Sequence, residues 1–308
     1  MIKFLIKRIF YAFIILIGVS MITYALLYLI PADPARQIAG RSATAETVAN
    51  IRSQLGLDLP FYQQYLQYLL NILQGDFGRS WLQKTEVSTL IAARLPASLE
   101  LMAAGILIEL VIGLSLGIVA ALKRNTIIDR AVMISSFVGV SAPQFVAAML
   151  FLYIFSIKLA WFPIGGYGEF KNLILPAFTL GILGCGWYSR MFRSSMIEVL
   201  HQDFVRTARA KGLSNFQVIT RHIIPNSLLP IISMIGIDIG IFVGGLVVVE
   251  SVFGWPGIGQ LAWQAIQRVD TPIIVAVTLV SAFAIVIGNL IADLIAPLID
   301  PRIDIKSM

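Results

Sequence analysis

Six apolar runs, each about as long as or longer than the ~20 residues a helix needs to cross a bilayer, recur along the chain at about 9–30, 99–122, 132–157, 173–192, 228–249 and 272–298. A water-soluble fold of 308 residues could not enclose them. Hydrophobic residues make up 58% of the chain and charged residues only 13%, more apolar surface than a core of that size can hide. The expected class is therefore an all-α membrane protein with six transmembrane helices. The first run is too long for the apolar region of a secretory leader, lacks a small-residue cleavage site and ends in IPADP (30–34), where proline stops a helix. It is expected to remain as an anchor.

Basic residues then orient the spans, because lysine and arginine in short loops are retained in the cytoplasm. With the N-terminus inside, the inner segments hold 14 of the 23 basic residues: Lys3, Lys7, Arg8, Lys123, Arg124, Arg130, Arg190, Arg193, Arg206, Arg209, Lys211, Arg221, Arg302 and Lys306. Both termini are expected to be cytoplasmic in a multi-pass protein of the cytoplasmic membrane. The long outer segment from 31 to 97 is nearly neutral, with six basic against five acidic residues. The net charge of +6 thus reflects membrane orientation rather than nucleic-acid binding. One cysteine, Cys185, excludes an internal disulfide. The two histidines, His201 and His222, make no cluster for a transition metal.

Helical spacing recurs inside the outer segment. In TAETVANIRSQLG the apolar positions Val48, Ile51 and Leu55 predict a helix that Gly56 stops. In PFYQQYLQYLLNILQGDFG, Tyr62, Tyr65, Leu66, Leu69 and Leu73 make one stripe, with Gln63, Gln64 and Gln67 off it. That face is expected against the membrane surface, a partner, or the outer ends of the spans. LKRNTIIDR reads as a short inner turn and WFPIGGYGEFKN as a short outer loop. The GGYG within the latter invites comparison with a potassium-channel filter, but Trp161-Phe162-Pro163 leaves no room for a pore helix. Glycine and proline turn chemistry explains it better.

Between the fourth and fifth runs a basic cassette interrupts the apolar pattern, with six basic against two acidic residues from 190 to 226. In SSMIEVLHQDFVRTARAKG the positions Met196, Leu200, Phe204 and Ala208, with Val199, predict one amphipathic helix whose other face carries Glu198, Asp203, Arg206 and Arg209. Gly212 is expected to end it in a left-handed turn. Ser214 and Gln217 then make a capping-box pair that starts a second short helix. Pro225 and Pro230 mark the passage into span five. Such a charge pattern partly serves orientation and anionic headgroups.

The spacing Arg206-Thr207-Ala208, three residues, Gly212, nine residues, His222-x-Ile224-Pro225 resembles the cytoplasmic loop signature of ABC importer permeases. The family pattern there is Glu-Ala-Ala, three residues, Gly, nine residues, Ile-x-Leu-Pro. This chain keeps the alanine, glycine and proline and departs at Arg206 and His222. Further stretches look, in order, like the branch that serves dipeptide, oligopeptide, glutathione and nickel importers: IPADPAR, LGLDLPFYQQY, GDFGRS, SSMIEVL, DFVRTARAKGLS, ESVFGWPGIG and DPRI.

The resemblance implies a type I importer permease with a long external segment after the first helix. Residues 1–94 would be the first span and external segment, 95–298 a five-helix permease domain with its coupling helix within 196–225, and 299–308 a cytoplasmic tail. It implies a second homologous permease subunit, two ABC ATPase subunits and an external solute-binding protein as partners, besides membrane lipids. Asp203, Arg206, Thr207, Ala208, Arg209, Ala210, Lys211 and Gly212 would dock on an ATPase. The small Thr207, Ala208 and Ala210 suit close helix approach, and Arg209 and Lys211 suit charge-assisted bonds. Outer residues such as Asp76, Phe77, Gly78, Phe253 and Trp255 would meet the binding protein. The cargo implied is a di- or oligopeptide, a glutathione-like compound or a nickel chelate.

The chain has no motor of its own. No G-x-x-x-x-G-K-[ST] loop is present, so ATP and magnesium are expected on partner subunits. No Ser/His/Asp or Cys/His set shares one side of the membrane, which makes catalytic, cofactor-binding and metal residues unexpected. The alternatives are an ion channel or a membrane-embedded enzyme working without an ATPase. Ionisable groups at membrane depth cost about 2.5–3.5 kcal/mol each on insertion scales, so Glu109 in span two and Asp238 in span five are candidates to line a translocation path. An interhelical hydrogen bond is the plainer role for Glu109. The resemblance implies a structural role for Asp293, where the family commonly has an aspartate, and for nearby Asn289; Glu250 reads as a residue that holds the SVFGWPGIGQ loop. That loop reads as a rigid re-entrant turn, with Phe253 and Trp255 as interface anchors.

Overall fold

The computed structural model describes residues 2–28, 33–40 and 43–299, without the side chains of 2–5, 27, 28, 34, 37, 243–245, 292, 293 and 295–299. The Asp293 side chain, those of Lys3, Arg302 and Lys306, the DPRI run and the tail beyond 299 lie outside the described residues.

Helices account for the architecture. In chain order they are α1 (Ile2–Tyr28), α2 (Pro34–Ala39), α3 (Ala45–Gln54), α4 (Phe61–Leu73), α5 (Val87–Leu122), α6 (Ile127–Ser141), α7 (Gln144–Phe151), α8 (Phe170–Leu200), α9 (Asp203–Ala210), α10 (Asn215–Val218), α11 (Ile224–Ser227), α12 (Leu229–Gly245), α13 (Val247–Val252), α14 (Ile258–Arg268) and α15 (Thr271–Ile299). Wider π-helical turns continue α7 over Leu152–Lys158 and join α10 to α11 over Ile219–Ile223. Among the described residues β-structure is limited to a single antiparallel bridge, Arg79 to Glu86.

Four helices are long and apolar enough to cross a membrane, and six crossings result if each of two bent pairs is one span. The third apolar run is not straight: α6 and α7 meet at 99°. Pro143 causes this, because a residue before proline is driven out of the helical region; Ala142 is extended, at φ −70° and ψ 129°. Where the fifth run begins, the stretch Asn215–Ser227 meets Leu229–Phe242 at 46°. The sixth is preceded by α14, an amphipathic helix that sequence reasoning did not separate from the loop before it.

The longest elements, α5 and α8, pack against each other along most of their length. Their backbones approach closely because small residues face each other. A Cβ at Gly113 would stand 2.9 Å from the Cys185 carbonyl oxygen, and one at Gly117 would stand 2.9 Å from that of Ser189. Van der Waals packing of this kind replaces the hydrophobic drive that is missing between helices in lipid. Residues 94 and 95 both lie inside α5, so the external segment and the helices that follow share one rod.

Two separate cores sit at the ends of this pair. At the cassette end, Tyr188, Phe192, Met196 and Val199 of α8 pack with Val205 and Ala208 of α9, Val218 and Ile223. At the opposite end, Leu101, Leu173 and Leu180 pack with Val249, Phe253 and Trp255. By contrast, α1 turns Ile9, Phe10, Phe13, Ile14 and Ile22 outward, as a lipid-facing helix does.

Candidate functional site

A cavity of about 480 Å³ opens between the helices. Glu109 reaches it from the middle of α5; Val140, Ala142 and Gln144 come from the α6–α7 break. Leu183, Gly184, Trp187 and Tyr188 line it from α8, and Ile237 and Asp238 from α12. The two acidic residues that the sequence singled out in separate spans thus share one wall. Asp238 is half-buried and accepts a hydrogen bond from the Tyr188 hydroxyl. Glu109 is only 2% exposed, and its Oε2 has no hydrogen-bond partner among the described residues. Gly184 leaves the room the carboxylate occupies, since a Cβ there would overlap it. The interhelical hydrogen bond expected as the plainer role for Glu109 is therefore not seen at Oε2.

Sequence reasoning missed Tyr188. The residue is 1% exposed and belongs at once to the cassette-end core and to the cavity wall, so it joins two regions that look unrelated in sequence. The small-residue pattern Gly113-x-x-x-Gly117 was the available signal that α5 packs tightly on the helix carrying it.

The cassette is a helix, a glycine turn and a second helix, but its first part is not one continuous helix. It breaks at His201–Gln202, where Gln202 takes an extended ψ of 151° and α9 begins anew. The break lets Val205 and Ala208 turn into the core while Asp203, Arg206, Thr207, Arg209, Ala210, Lys211 and Gly212 stay exposed. Ala208 is thus small for the sake of internal packing and is absent from the exposed face. Asp203 and Arg206 form a loose ion pair of 3.5 Å on that face.

Gly212 has φ +78° with nothing within 4 Å of a Cβ position, so its glycine is demanded by backbone conformation rather than by space. Ser214 and Gln217 make the reciprocal capping box expected of them. Phe216 follows, 75% exposed. Beside the cassette, Arg193 of α8 grips Asp129 of α6 with two bonds of 2.6 and 2.7 Å, and Asp129 also accepts from the Asn125 backbone at 2.9 Å. This clamp, which the sequence did not suggest, ties the 123–126 turn to α8. Arg190 stacks its guanidinium between Phe137 and Trp187, at 4.4 and 4.6 Å from the ring centroids.

At the opposite end the SVFGWPGIGQ loop is held as expected of Glu250, and more tightly. The Glu250 carboxylate is fully buried and accepts from the Ser98 hydroxyl at 2.7 Å and from the Gln260 backbone at 2.8 Å. Phe253 and Trp255 are corrected by the structure: at 2% and 1% exposure they are core residues, not interface anchors. Trp255 donates its Nε1–H to the Ala97 carbonyl at 2.8 Å, so the ring that seemed suited to a surface plugs the α5–α8 pair instead. Their side chains offer an outside partner no surface in this conformation. The GGYG stretch is a turn, with Gly166 and Gly168 at φ +107° and +108°. It lies on the same loop, the Tyr167 ring standing edge-on to Trp255 at 4.9 Å.

Asp76, Phe77 and Gly78 line a second and larger cavity of about 1250 Å³ between α3, α4 and the start of α15. Asp76 accepts from the Gly78 backbone at 2.8 Å in a tight turn. The following Ser80 donates to buried Asp270 at 2.5 Å, and the Trp81 backbone does so at 3.2 Å, a link across the chain that spacing alone does not reveal. The stripe expected on α4 divides between two faces. Phe61, Gln64, Tyr65 and Tyr68 turn inward, while Tyr62, Leu66 and Leu73 are exposed. Gln64, expected off the stripe, is buried, and its side-chain amide donates to the Leu57 and Leu59 carbonyls at 3.2 and 2.7 Å.

Residues 113–305 match the family described as binding-protein-dependent transport system inner membrane component, and residues 1–102 match the corresponding N-terminal family. The glutathione transport system permease protein GsiC of Salmonella choleraesuis (strain SC-B67) is 38% identical over 291 residues, covering 94% of this chain and 95% of that protein. Its counterpart in Escherichia coli (strain K12) is 37% identical over the same length. Among solved structures, an inward-facing form of the MetNI methionine ABC transporter superposes with a TM-score of 0.55 at 19% identity, over 68% of this chain and 96% of that one; at that identity the likeness concerns the fold. The chain belongs to the family of binding-protein-dependent transport system inner-membrane permeases, a transport family rather than an enzyme family.

Proposed function

We propose that this chain is one of two permease subunits in an ATP-driven importer that receives its cargo from an external solute-binding protein. In this reading six spans cross the membrane, each bent pair being one of them, with both termini in the cytoplasm. Residues 1–94 supply an anchor and an external segment, 95–298 the translocating helices, and 299–308 a cytoplasmic tail. Two ATPase subunits bind ATP and magnesium and grip the exposed face of α9 from Asp203 to Gly212. The outer rim near Asp76, Phe77 and Gly78 meets the binding protein. Glu109 and Asp238 line the path. The relatives named for glutathione transport support a peptide cargo, glutathione-like or a short peptide.

One observation carries the mechanism: Tyr188 belongs to both the core under α9 and the cavity wall. Its helix, α8, has 31 residues and at 1.5 Å per residue extends about 46 Å, beyond the ~30 Å of a hydrocarbon core. Closure of the ATPases would displace α9, and Val205 and Ala208 would pass that displacement to the inner end of α8. The Tyr188–Asp238 contact is then where a lever motion meets the cavity. Cargo access switches because ATP binds the two arrangements unequally.

Replacing Gly212 with valine tests this. A β-branched residue at φ +78° is strained, so the turn must change while the buried face of α9 stays. The complex should insert normally, hydrolyse ATP at or near its basal rate and lose at least tenfold in uptake. Unchanged uptake would remove the lever. Cargo flux without ATP would instead favour a channel.

A further inference from the structure

We propose that Glu109 and Asp238 form a subsite for a protonated amine, so that the cavity takes cargo bearing an ammonium group in preference to neutral or anionic compounds. This rests on the reading of the cavity as part of the path and adds the charge that it selects.

The residues lining the cavity include two carboxylates and no lysine, arginine or histidine. The guanidinium of Arg190, one turn along α8 from Trp187, is not part of the lining; it stacks on the Trp187 and Phe137 rings, and its Nη2 is buried without a partner among the described residues. Asp238 is engaged by the Tyr188 hydroxyl, but Glu109 Oε2 is buried with no donor among the described residues. A buried acceptor left without a donor costs stability. A chain that keeps one, and keeps Gly184 beside it to make room, retains an acceptor for a donor that comes and goes.

A protonated amine suits the remaining walls. It offers three N–H donors for carboxylate oxygens, in bonds stronger than neutral ones. The Trp187 and Tyr188 rings, which line the same cavity, attract a cation through their faces. A divalent metal suits them less well, since among the described residues no group of three or more His, Cys, Asp or Glu could hold one. The volume, about 480 Å³, lies in the range of pockets that enclose small organic ligands.

The test uses the purified full-length chain in detergent and three small glycine derivatives: glycinamide, which is cationic, N-acetylglycinamide, which is neutral, and N-acetylglycine, which is anionic. Trp187 reports through its fluorescence, and Trp187→Phe identifies its share of the signal. Glycinamide should give a saturable change and the other two none. Glu109→Gln should weaken the half-saturation at least tenfold with an unchanged unfolding midpoint, and Asp238→Asn should weaken it by a smaller factor. Equal responses to glycinamide and N-acetylglycinamide would overturn the subsite, as would unchanged binding in both variants.

Uptake by the assembled importer separates this proposal from the reading beneath it. If glycinamide binding depends on Glu109 but Glu109→Gln leaves uptake of a free-amine dipeptide intact, the subsite stands and the cavity is off the path. If Glu109→Gln cuts uptake while glycinamide does not bind, the path stands and the subsite is overturned.

Discussion

Glu250 and Glu109 are both buried glutamates, at 0% and 2% exposure, yet one is saturated with donors and the other is not. Glu250 receives the Ser98 hydroxyl and the Gln260 backbone N–H, and Gly257 and Gly259 pack on it so closely that a Cβ at either would crowd the carboxylate. Glu109 sits across from a glycine as well, but the space so made opens on a cavity and Oε2 finds no partner among the described residues. A buried acid bonded at both oxygens organises a loop; one to which no donor is bonded is, in the subsite proposed above, an acceptor for a ligand that arrives. The difference separates a glutamate that fastens a loop from one that faces a cavity.

The comparison breaks most visibly at Glu250. Glu250→Ala strands the Ser98 hydroxyl and the Gln260 N–H, each costing ~1–3 kcal/mol when buried without a partner, so a loss of about 3 kcal/mol or more is expected. Thermal unfolding in detergent and the yield of membrane-inserted chain measure it; an unaltered midpoint would mean the hub is dispensable.

A smaller effect is expected beside it. Trp255→Phe keeps most of the ring but removes the bond to the Ala97 carbonyl, for about 1 kcal/mol, read in the same melt. Smallest of all should be Glu109→Gln. Because it exchanges a buried carboxylate whose Oε2 has no partner among the described residues for a neutral amide, the midpoint should hold even as uptake falls. A drop as large as that of Glu250→Ala would erase the contrast and make both glutamates structural.

The membrane class was legible because apolar runs of span length leave a chain of this size little else to do. The cassette was legible because its signals are local. Gly212 at a left-handed turn and the Ser214–Gln217 capping box each concern residues within a few positions of one another, and local backbone chemistry answers to local sequence. Trp255 shows the opposite case. Beside Gly254 and Pro256, an aromatic residue near a span end suggests an interface anchor, but whether it faces water or core depends on Ala97 of α5, 158 positions away in the chain.

By itself, then, the sequence determined that the chain is helical and membrane-bound, where its cassette turns, and which acids would be costly in lipid. Tertiary structure alone decided that Tyr188 joins the core under α9 to Asp238, and that Glu109 faces space while Glu250 does not. The physical reason is range: capping, turn conformation and span length are settled within a few turns of helix. The partners of a buried carboxylate are set by which helices meet, and that depends on packing between residues far apart in the chain.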